Sequence, residues 1–187
     1  SVRALLSADE GGHQEISALK GTPTGTITMG TYLSCSIHWI PEIIQKFRES
    51  HPNIVFKVIE GAEDDLPDWI QERRVDIGFL SHQEGHHFQF LPVMDDELFA
   101  VLPKGHSLED CSAVPMEKFT GAPFVTTEYA PGSDIYRILK VFHIKPDIRF
   151  LSINEFSVLS MVEHGLGITI LPGLLLRGQT GSFVKRR

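Results

Sequence analysis

Residues 25–60 read GTITMGTYLSCSIHWIPEIIQKFRESHPNIVFKVIE, and this stretch decides the fold. At its start Ile27 and Met29 alternate with threonines, which predicts a strand that ends at Gly30. The β-branched and aromatic segment Ile54–Glu60 predicts a second strand. Between them an apolar stripe at helical spacing predicts a helix, formed by Leu33, Ile37, Ile40, Ile44 and Phe47. A strand, a helix and a strand joined by short connections predict parallel strands with helices covering the sheet.

Pro41 lies inside the helical stripe and lacks the N–H group that would donate to the carbonyl of Ile37. Two arrangements satisfy this restriction. Either the first turn is kinked, or a separate turn precedes a main helix that begins near Pro41. The sequence leaves both open.

Strands and helices continue to alternate along the sequence, in two halves. A short amphipathic helix around Trp69 and a strand over residues 75–80 continue the first half. A strand over residues 97–102 is closed by Pro103, where we place the crossing between the halves. In the second half we predict strands over residues 123–127 and 148–153, a helix capped by Gly132 and Ser133, and a helix over residues 154–164. The predicted class is therefore α/β.

The segment EHGLGITILP, residues 163–172, predicts a corner between a helix and a strand. Gly165 supplies the left-handed position that ends the helix, and the apolar residues 168–171 form a buried strand. Pro172 fits the first turn of a following helix. Many α/β proteins contain such a corner, so by itself it indicates no function.

The composition is that of a globular domain with a sizeable core, since 42% of the 187 residues are apolar. A formal net charge of −7 argues against a broad nucleic-acid-binding face, which needs clustered lysine and arginine. No apolar run is long enough for a membrane helix, and residues 1–20 lack the apolar core of a secretory signal. We therefore expect a cytoplasmic protein with no membrane partner.

Four blocks of the sequence closely resemble the effector-binding domain of LysR-type transcriptional regulators. They are GTITMGTYLSCSIHWIPEIIQKFRESHPNI, EGAEDDLPDWIQERRVDIGF, DDELFAVLPKGHSL and MVEHGLGITILP. The matching features are the Gly30 turn with Pro41 and Phe47, the His51-Pro52 stop, the Val75-Asp76-Ile77 strand, the Pro103 hinge and the Gly165-x-Gly167 corner. The resemblance covers residues 14–177 in consistent order and spacing.

This resemblance implies a periplasmic-binding-protein-like fold of type II, with two Rossmann-like subdomains and an effector cleft between them. It implies that residues 1–20 are the remnant of a linker helix, residues 21–103 are subdomain I and residues 104–187 are subdomain II. The family's N-terminal winged helix-turn-helix, which binds DNA, has no counterpart here, and the C-terminal return to subdomain I is expected to be missing. It also implies a homodimer, formed through the helix over residues 37–50 and the strand Ile54–Glu60.

Ligands of open α/β sheets bind outside the carboxyl ends of the strands, and this rule selects the polar residues that follow them. Ser34 resembles in position a family serine that contacts the effector, and Glu63 stands about where the family has Ser or Thr. The candidate effector-binding residues are Thr31, Ser34, Glu63, Ser81, His82, Thr126, Thr127 and Asn154. The alternative for each is an ordinary capping or loop role. None is Lys or Arg, so an anionic effector would depend on helix dipoles and neutral donors.

Metal binding and catalysis are not predicted. The histidine-rich loop over residues 82–87 has no ligand spacing typical of zinc, so we expect no metal and no other cofactor. Ser34 and His38 stand at helical spacing like a nucleophile and its base, but no orienting acid or oxyanion donor can be placed beside them. Cys35 and Cys111 are expected to be free thiols.

The sequence therefore predicts the effector-sensing domain of a LysR-family DNA-binding transcriptional regulator, which binds a small metabolite, expected to be an organic acid. The alternative is an exported solute-binding protein of the same fold, which a leader peptide in the parent gene would favour. An enzyme on the same scaffold is a second rival, because a fold does not dictate a function.

Overall fold

The computed structural model describes residues 23–62, 64–82, 88–127, 133–152 and 154–187. The chain divides into two units, Ser1–Pro92 and Val93–Arg187. Within the described ranges, no helix combines the length and the apolar character that crossing a membrane requires.

The first unit begins with the predicted strand, helical segment and strand. Strand β1 spans Gly25–Thr31 and strand β2 spans Ile54–Glu60. The helical stripe forms two helices, α1 over Leu33–His38 and α2 over Ile40–Ser50. Pro41 lies in the first turn of α2, where its missing N–H group costs no hydrogen bond. Of the two arrangements that the sequence left open, the structure has the separate first turn.

Helix α3 spans Asp65–Gln71. The short strand β3 spans Ile77–Gly78 and is the third strand of this unit's described sheet. The three strands are parallel, as predicted, and their order is β2-β1-β3. Strand β3 is shorter than the predicted residues 75–80. Val75 N donates to Trp69 O at 3.3 Å and not to a neighbouring strand, and the Val75 side chain lies in a buried cluster with Leu66 and Trp69. This cluster packs closely against the central strand β1.

In the second unit, strands and helices again alternate. The elements are β4 (Leu98–Pro103), a 3-10 helix (Met116–Phe119), β5 (Pro123–Thr126), α4 (Asp134–Val141), β6 (Asp147–Leu151), α5 (Glu155–Glu163), β7 (Thr169–Pro172) and β8 (Phe183–Arg186). Both helix starts that the sequence predicted carry side-chain caps. Ser133 Oγ accepts a hydrogen bond from Tyr136 N at 3.3 Å, and Asn154 Oδ1 accepts one from Ser157 N at 2.9 Å. Gly132 lies outside the described residues.

The expected parallel pairing holds for β5 and β6 but not for β4. Strand β4 is the centre of a three-stranded sheet of order β7-β4-β8, and both of its pairings are antiparallel. Strand β8 was not predicted at all. The direction of such pairs depends on how distant segments return to β4, which the local alternation of elements does not specify.

Pro172 ends β7 and does not begin a helix, which corrects the sequence expectation. After it the chain makes turns, in which Leu176 N donates to Pro172 O at 3.2 Å. Gly178 then has the left-handed conformation, with φ +75°, and the chain changes direction there after little more than one helical turn.

The division between the units falls before β4, whereas the sequence placed it after Pro103. The difference arises because β4 pairs with β7 and β8, which both belong to the second unit. The predicted linker remnant, residues 1–20, lies outside the described residues.

The corner between α5 and β7 places the segment that enters β7 beside β5. Gly165 has φ +73°, which confirms the predicted left-handed end of the helix. At Gly167 an added Cβ would lie 2.8 Å from Pro123 O, so only glycine lets the two backbones approach this closely. Ile168 N donates to Pro123 O at 2.9 Å, which joins β5 to the segment that enters β7. The main core lies here and consists of Ala100, Leu102, Val114, Phe119, Phe124, Leu139, Ile144, Ile168 and Ile170.

Candidate functional site

Three connections of the first unit meet at the carboxyl end of β1. Gly61, directly after β2, donates from its backbone N to Thr31 O at 3.1 Å. Phe79, directly after β3, donates to Gly30 O at 3.0 Å, and its ring centroid lies 5.8 Å from that of Trp39, the residue after α1. The chain segments that follow β1, β2 and β3 therefore lie together at the edge where α/β sheets bind ligands.

Thr31 and Ser34 occupy this edge on the central strand and on the helix that follows it. Thr31 is fully buried, and its hydroxyl donates to the backbone carbonyl of Tyr32 at 3.2 Å. Ser34 is 3% exposed, and among the described residues its Oγ has no hydrogen-bond partner. Ser34 therefore does not cap its own helix, whose N-cap residue is Tyr32. Leaving a buried hydroxyl unpaired costs about 1 to 3 kcal/mol, so its position calls for an explanation.

Ser36 Oγ and His38 Nε2, in the same helix, are also buried without a partner among the residues that the structure describes. The sequence raised His38 only as a base for Ser34, and the two side chains form no hydrogen bond with each other. Sequence reasoning therefore identified Ser34 but missed Ser36 and His38 as buried polar groups without partners. The one signal that could have found His38 was the i, i+4 spacing of Ser34 and His38.

The other candidates of the first unit follow β3 or lie outside the described residues. Ser81 is half-buried, and His82 is exposed with its ring edge-on to Phe90, centroids 4.7 Å apart. Glu63 and residues 83–87 of the histidine-rich loop lie outside the described residues. Within the ranges that are described, no group of three or more His, Cys, Asp and Glu side chains could hold a metal ion.

In the second unit, Thr126, Thr127 and Asn154 lie at the carboxyl ends of β5 and β6. Thr126 is buried, and its carbonyl accepts a hydrogen bond from Ser152 N at 3.0 Å, just before Asn154. Asn154 caps α5, which is the ordinary role considered for it, and Thr127 is half-buried. Thr126 is thus a buried threonine at the end of β5, just as Thr31 is a buried threonine at the end of β1 in the first unit.

The charged groups beside the edge of the first unit are acidic. Glu60 is the last residue of β2, and the carboxylate of Asp65 accepts a hydrogen bond from Ala62 N at 3.2 Å. Since no candidate residue is Lys or Arg, the arrangement offers hydroxyl groups and backbone dipoles to a ligand. It can therefore bind a small polar molecule by neutral hydrogen bonds.

Two regulators are similar to this chain over most of its length. One is the uncharacterized HTH-type transcriptional regulator YvbU of Bacillus subtilis, 26% identical over 180 residues that make up 95% of this chain and 60% of that protein. Another is the Hca operon transcriptional activator HcaR of Escherichia coli, 24% identical over 165 residues, or 86% of this chain and 56% of that protein. The chain thus spans 60% or less of the length of these relatives.

Solved structures show the same fold. The effector binding domain of QuiR in complex with shikimate has a TM-score of 0.73 at 21% identity, with 87% of this chain and 80% of that chain covered. The regulatory domain of Synechocystis CcmR in complex with 2-PG has a TM-score of 0.77 at 15% identity, with the same coverage of 87% and 80%. These likenesses agree with the predicted periplasmic-binding-protein-like fold of type II.

The family model described as LysR substrate binding domain matches residues 20–186. A match over nearly the whole chain, together with the fold, shows the family. This chain belongs to the LysR substrate binding domain family, the effector-binding domains of LysR-type transcriptional regulators.

Proposed function

We propose that this chain binds a small organic acid as the effector of a LysR-type transcriptional regulator. The observation that carries the proposal is the buried Ser34 hydroxyl, which has no partner among the described residues and lies beside the end of the central strand β1. A hydroxyl in this position can donate to a carboxylate oxygen. Two related domains support the acid class, because QuiR is solved with shikimate and BenM with benzoate, both of which are carboxylates.

The other sequence candidates belong to the proposal as further ligand contacts. Thr31, Ser81, Thr126, Thr127 and Asn154 would supply neutral polar groups, whereas Glu63 and His82 would supply an acid and an imidazole. An effector acts as a signal only when it binds one conformation of the protein more tightly than another. The contacts must therefore bind the effector more tightly in one conformation of the protein than in the other.

The DNA-binding function is proposed for the longer protein. Its support is that the relatives are HTH-type regulators and that this chain spans 60% or less of their length. DNA would be bound by an N-terminal winged helix-turn-helix, and effector binding here would change how two such domains are spaced. We include in this proposal a cytoplasmic location, and we assign no catalytic activity to the chain.

Ser34→Ala is expected to weaken the binding of the acid at least about tenfold, because a hydrogen bond to a charged group is lost. The ligand is first found by a thermal-shift screen of small metabolites, since binding to the native state raises the melting temperature. Its dissociation constant is then measured by calorimetry for the wild-type chain and the variant.

Ser50→Ala is the matched control for this experiment. Ser50 Oγ lies at the end of α2, where it donates to Phe47 O at 3.3 Å and contacts His51 Nδ1 at 2.8 Å. This variant is expected to keep the wild-type dissociation constant. An equal affinity in Ser34→Ala would remove Ser34 from the site, and a screen in which no acid raises the melting temperature would reject the acid class.

We also propose a homodimer through the helical residues 37–50 and strand β2. The support is a set of exposed apolar side chains on these elements, namely Ile37, Ile43, Val55 and Val58. Strand β2 is an edge of its sheet, and exposed apolar groups on an edge strand are typical of an association surface. A second copy of the chain would cover them.

Val55→Glu is expected to raise the dissociation constant of the dimer at least about tenfold, because dimerisation would bury an unpaired carboxylate. Val55 is 56% exposed, so the monomer itself should fold unchanged. The molar mass is measured by light scattering over a concentration series. Ile77→Glu, at a 48% exposed position on the opposite edge strand β3, should still dimerise. A wild-type chain that stays monomeric throughout the series would contradict the proposal.

A further inference from the structure

Helix α1 contains a group of polar atoms that its own fold does not satisfy. Ser34 Oγ, Ser36 Oγ and His38 Nε2 are all buried, and none has a hydrogen-bond partner in the described part of the chain. Unpaired buried polar groups destabilise a folded protein and are rare in native structures. Three of them in a helix of six residues point to a local function.

Ser34 and His38 belong to the same face of the helix. Their i, i+4 spacing puts their Cβ atoms about 5 to 6 Å apart, close enough for both side chains to contact one small molecule. Ser36 lies two positions from each and projects in a different direction. The pair that can act together is therefore Ser34 and His38.

Aromatic packing holds the His38 end of the helix at the carboxyl edge of the sheet. Trp39 is the next residue, and its ring lies 5.8 Å from the ring of Phe79. Phe79 N donates in turn to Gly30 O at 3.0 Å, on the central strand. His38 is thus kept near the edge that the proposed function assigns to the effector.

Building on the proposed function, we infer that His38 is a second effector-binding residue, which selects acids that carry a hydroxyl or carbonyl oxygen next to the carboxylate. The Ser34 hydroxyl donates a hydrogen bond to the carboxylate, and His38 Nε2 forms a hydrogen bond with the neighbouring oxygen. An imidazole nitrogen donates or accepts according to its tautomer, so it accommodates either kind of oxygen. No candidate residue is Lys or Arg. The hydrogen bond with His38 therefore distinguishes acids that carry this second oxygen from acids that lack it.

The burial of both atoms also couples binding to a conformational change. Because Ser34 Oγ and His38 Nε2 are shielded from solvent, an acid reaches them only by displacing the groups that cover them. An acid that gains both hydrogen bonds favours the rearranged conformation more than an acid that gains one.

The first experiment needs no ligand. His38→Phe replaces the imidazole by an apolar ring of similar shape, and the melting temperature of the 187-residue chain is expected to stay unchanged or rise by up to about 4 °C. His51→Phe is the matched control, since His51 Nδ1 has a partner in Ser50 Oγ at 2.8 Å. That control is expected to show no rise. His38→Leu is the second variant, in case the larger ring does not fit.

The second experiment compares pairs of acids that differ by one oxygen, namely lactate with propanoate, malate with succinate, and salicylate with benzoate. Dissociation constants are measured for the wild-type chain, Ser34→Ala and His38→Phe. In at least one pair, the wild type is expected to bind the hydroxylated acid about tenfold more tightly, as one added hydrogen bond provides. This preference should disappear in His38→Phe, while Ser34→Ala weakens both members of the pair.

The outcomes separate this inference from the proposed function. If acids bind and depend on Ser34 but the preference survives in His38→Phe, the inference about His38 is wrong and the proposed function stands. If no acid of the three pairs binds, the inferred ligand class is overturned. A lower melting temperature in both His38→Phe and His38→Leu would show that the imidazole has a structural partner, which also overturns the inference.

Discussion

Phe124→Ala is expected to lower the free energy of unfolding by about 3 to 5 kcal/mol, the usual loss when a fully buried aromatic ring is deleted. Phe124 is 0% exposed, and its ring packs edge-on against Phe119 with centroids 6.1 Å apart. Its strand β5 pairs with β6 and also contacts the segment before β7 through Ile168. The cavity would therefore open in the core of the second unit where these strands meet. Urea denaturation followed by circular dichroism measures the loss.

Phe142→Ala removes the same atoms at the end of α4 and serves as the control. Phe142 is 56% exposed, so its deletion is expected to change the free energy of unfolding by less than about 1 kcal/mol. Losses of similar size in the two variants would contradict the assignment of Phe124 to the main core.

Trp69→Ala is expected to lower the free energy of unfolding of the first unit by about 3 to 5 kcal/mol. The ring packs with Leu66 and Val75, and the guanidinium carbon of Arg74 lies 4.5 Å from its centroid. Deleting it removes the largest side chain of this cluster. Circular dichroism again follows the denaturation, because the variant keeps only Trp39 as a fluorescent tryptophan.

The same variant is also expected to weaken acid binding. A Cβ added at Gly61 would lie 2.3 Å from the Trp69 ring, so the ring packs directly on this glycine. Gly61 N in turn donates to Thr31 O, at the edge proposed to bind the effector. Trp69→Phe should retain part of the packing and lose only about 1 to 2 kcal/mol. If Trp69→Ala kept full acid affinity well below its melting temperature, the edge would not depend on this ring.

Caps and helix ends were predictable from short segments of sequence. Ser133 caps the helix that it was predicted to cap, Asn154 caps the helix that was predicted to begin at residue 154, and Gly165 has the expected left-handed conformation. Each of these features depends on hydrogen bonds or steric limits within about four residues. The sequence left two arrangements open at Pro41, and the structure adopts one of them.

Strand pairing in the second unit was not predictable in the same way. Leu98 lies opposite Pro172, and Pro103 opposite Phe183, so each pair joins residues that are far apart in sequence. The apolar pattern of β4 identifies a buried strand but gives neither its neighbours nor their direction. The same pairing explains why the division between the units falls before β4.

The candidate site combines both kinds of information. The position of Ser34 followed from the rule on strand ends and from the family resemblance. Its buried and unpaired hydroxyl, together with the unpaired His38 Nε2, emerged only from the packing of α1. A side chain's spacing is a property of the sequence, but its lack of a partner depends on every group around it.

The sequence by itself determined the kinds of elements, their caps and breaks, the parallel strand–helix–strand segments and the family of this protein. These depend on periodicity and on interactions between residues that are close along the chain. Only the tertiary structure decided which strands pair with β4, where the units divide and which polar atoms are buried without partners. These depend on contacts between distant segments, and their free energies are set by the surroundings that folding creates.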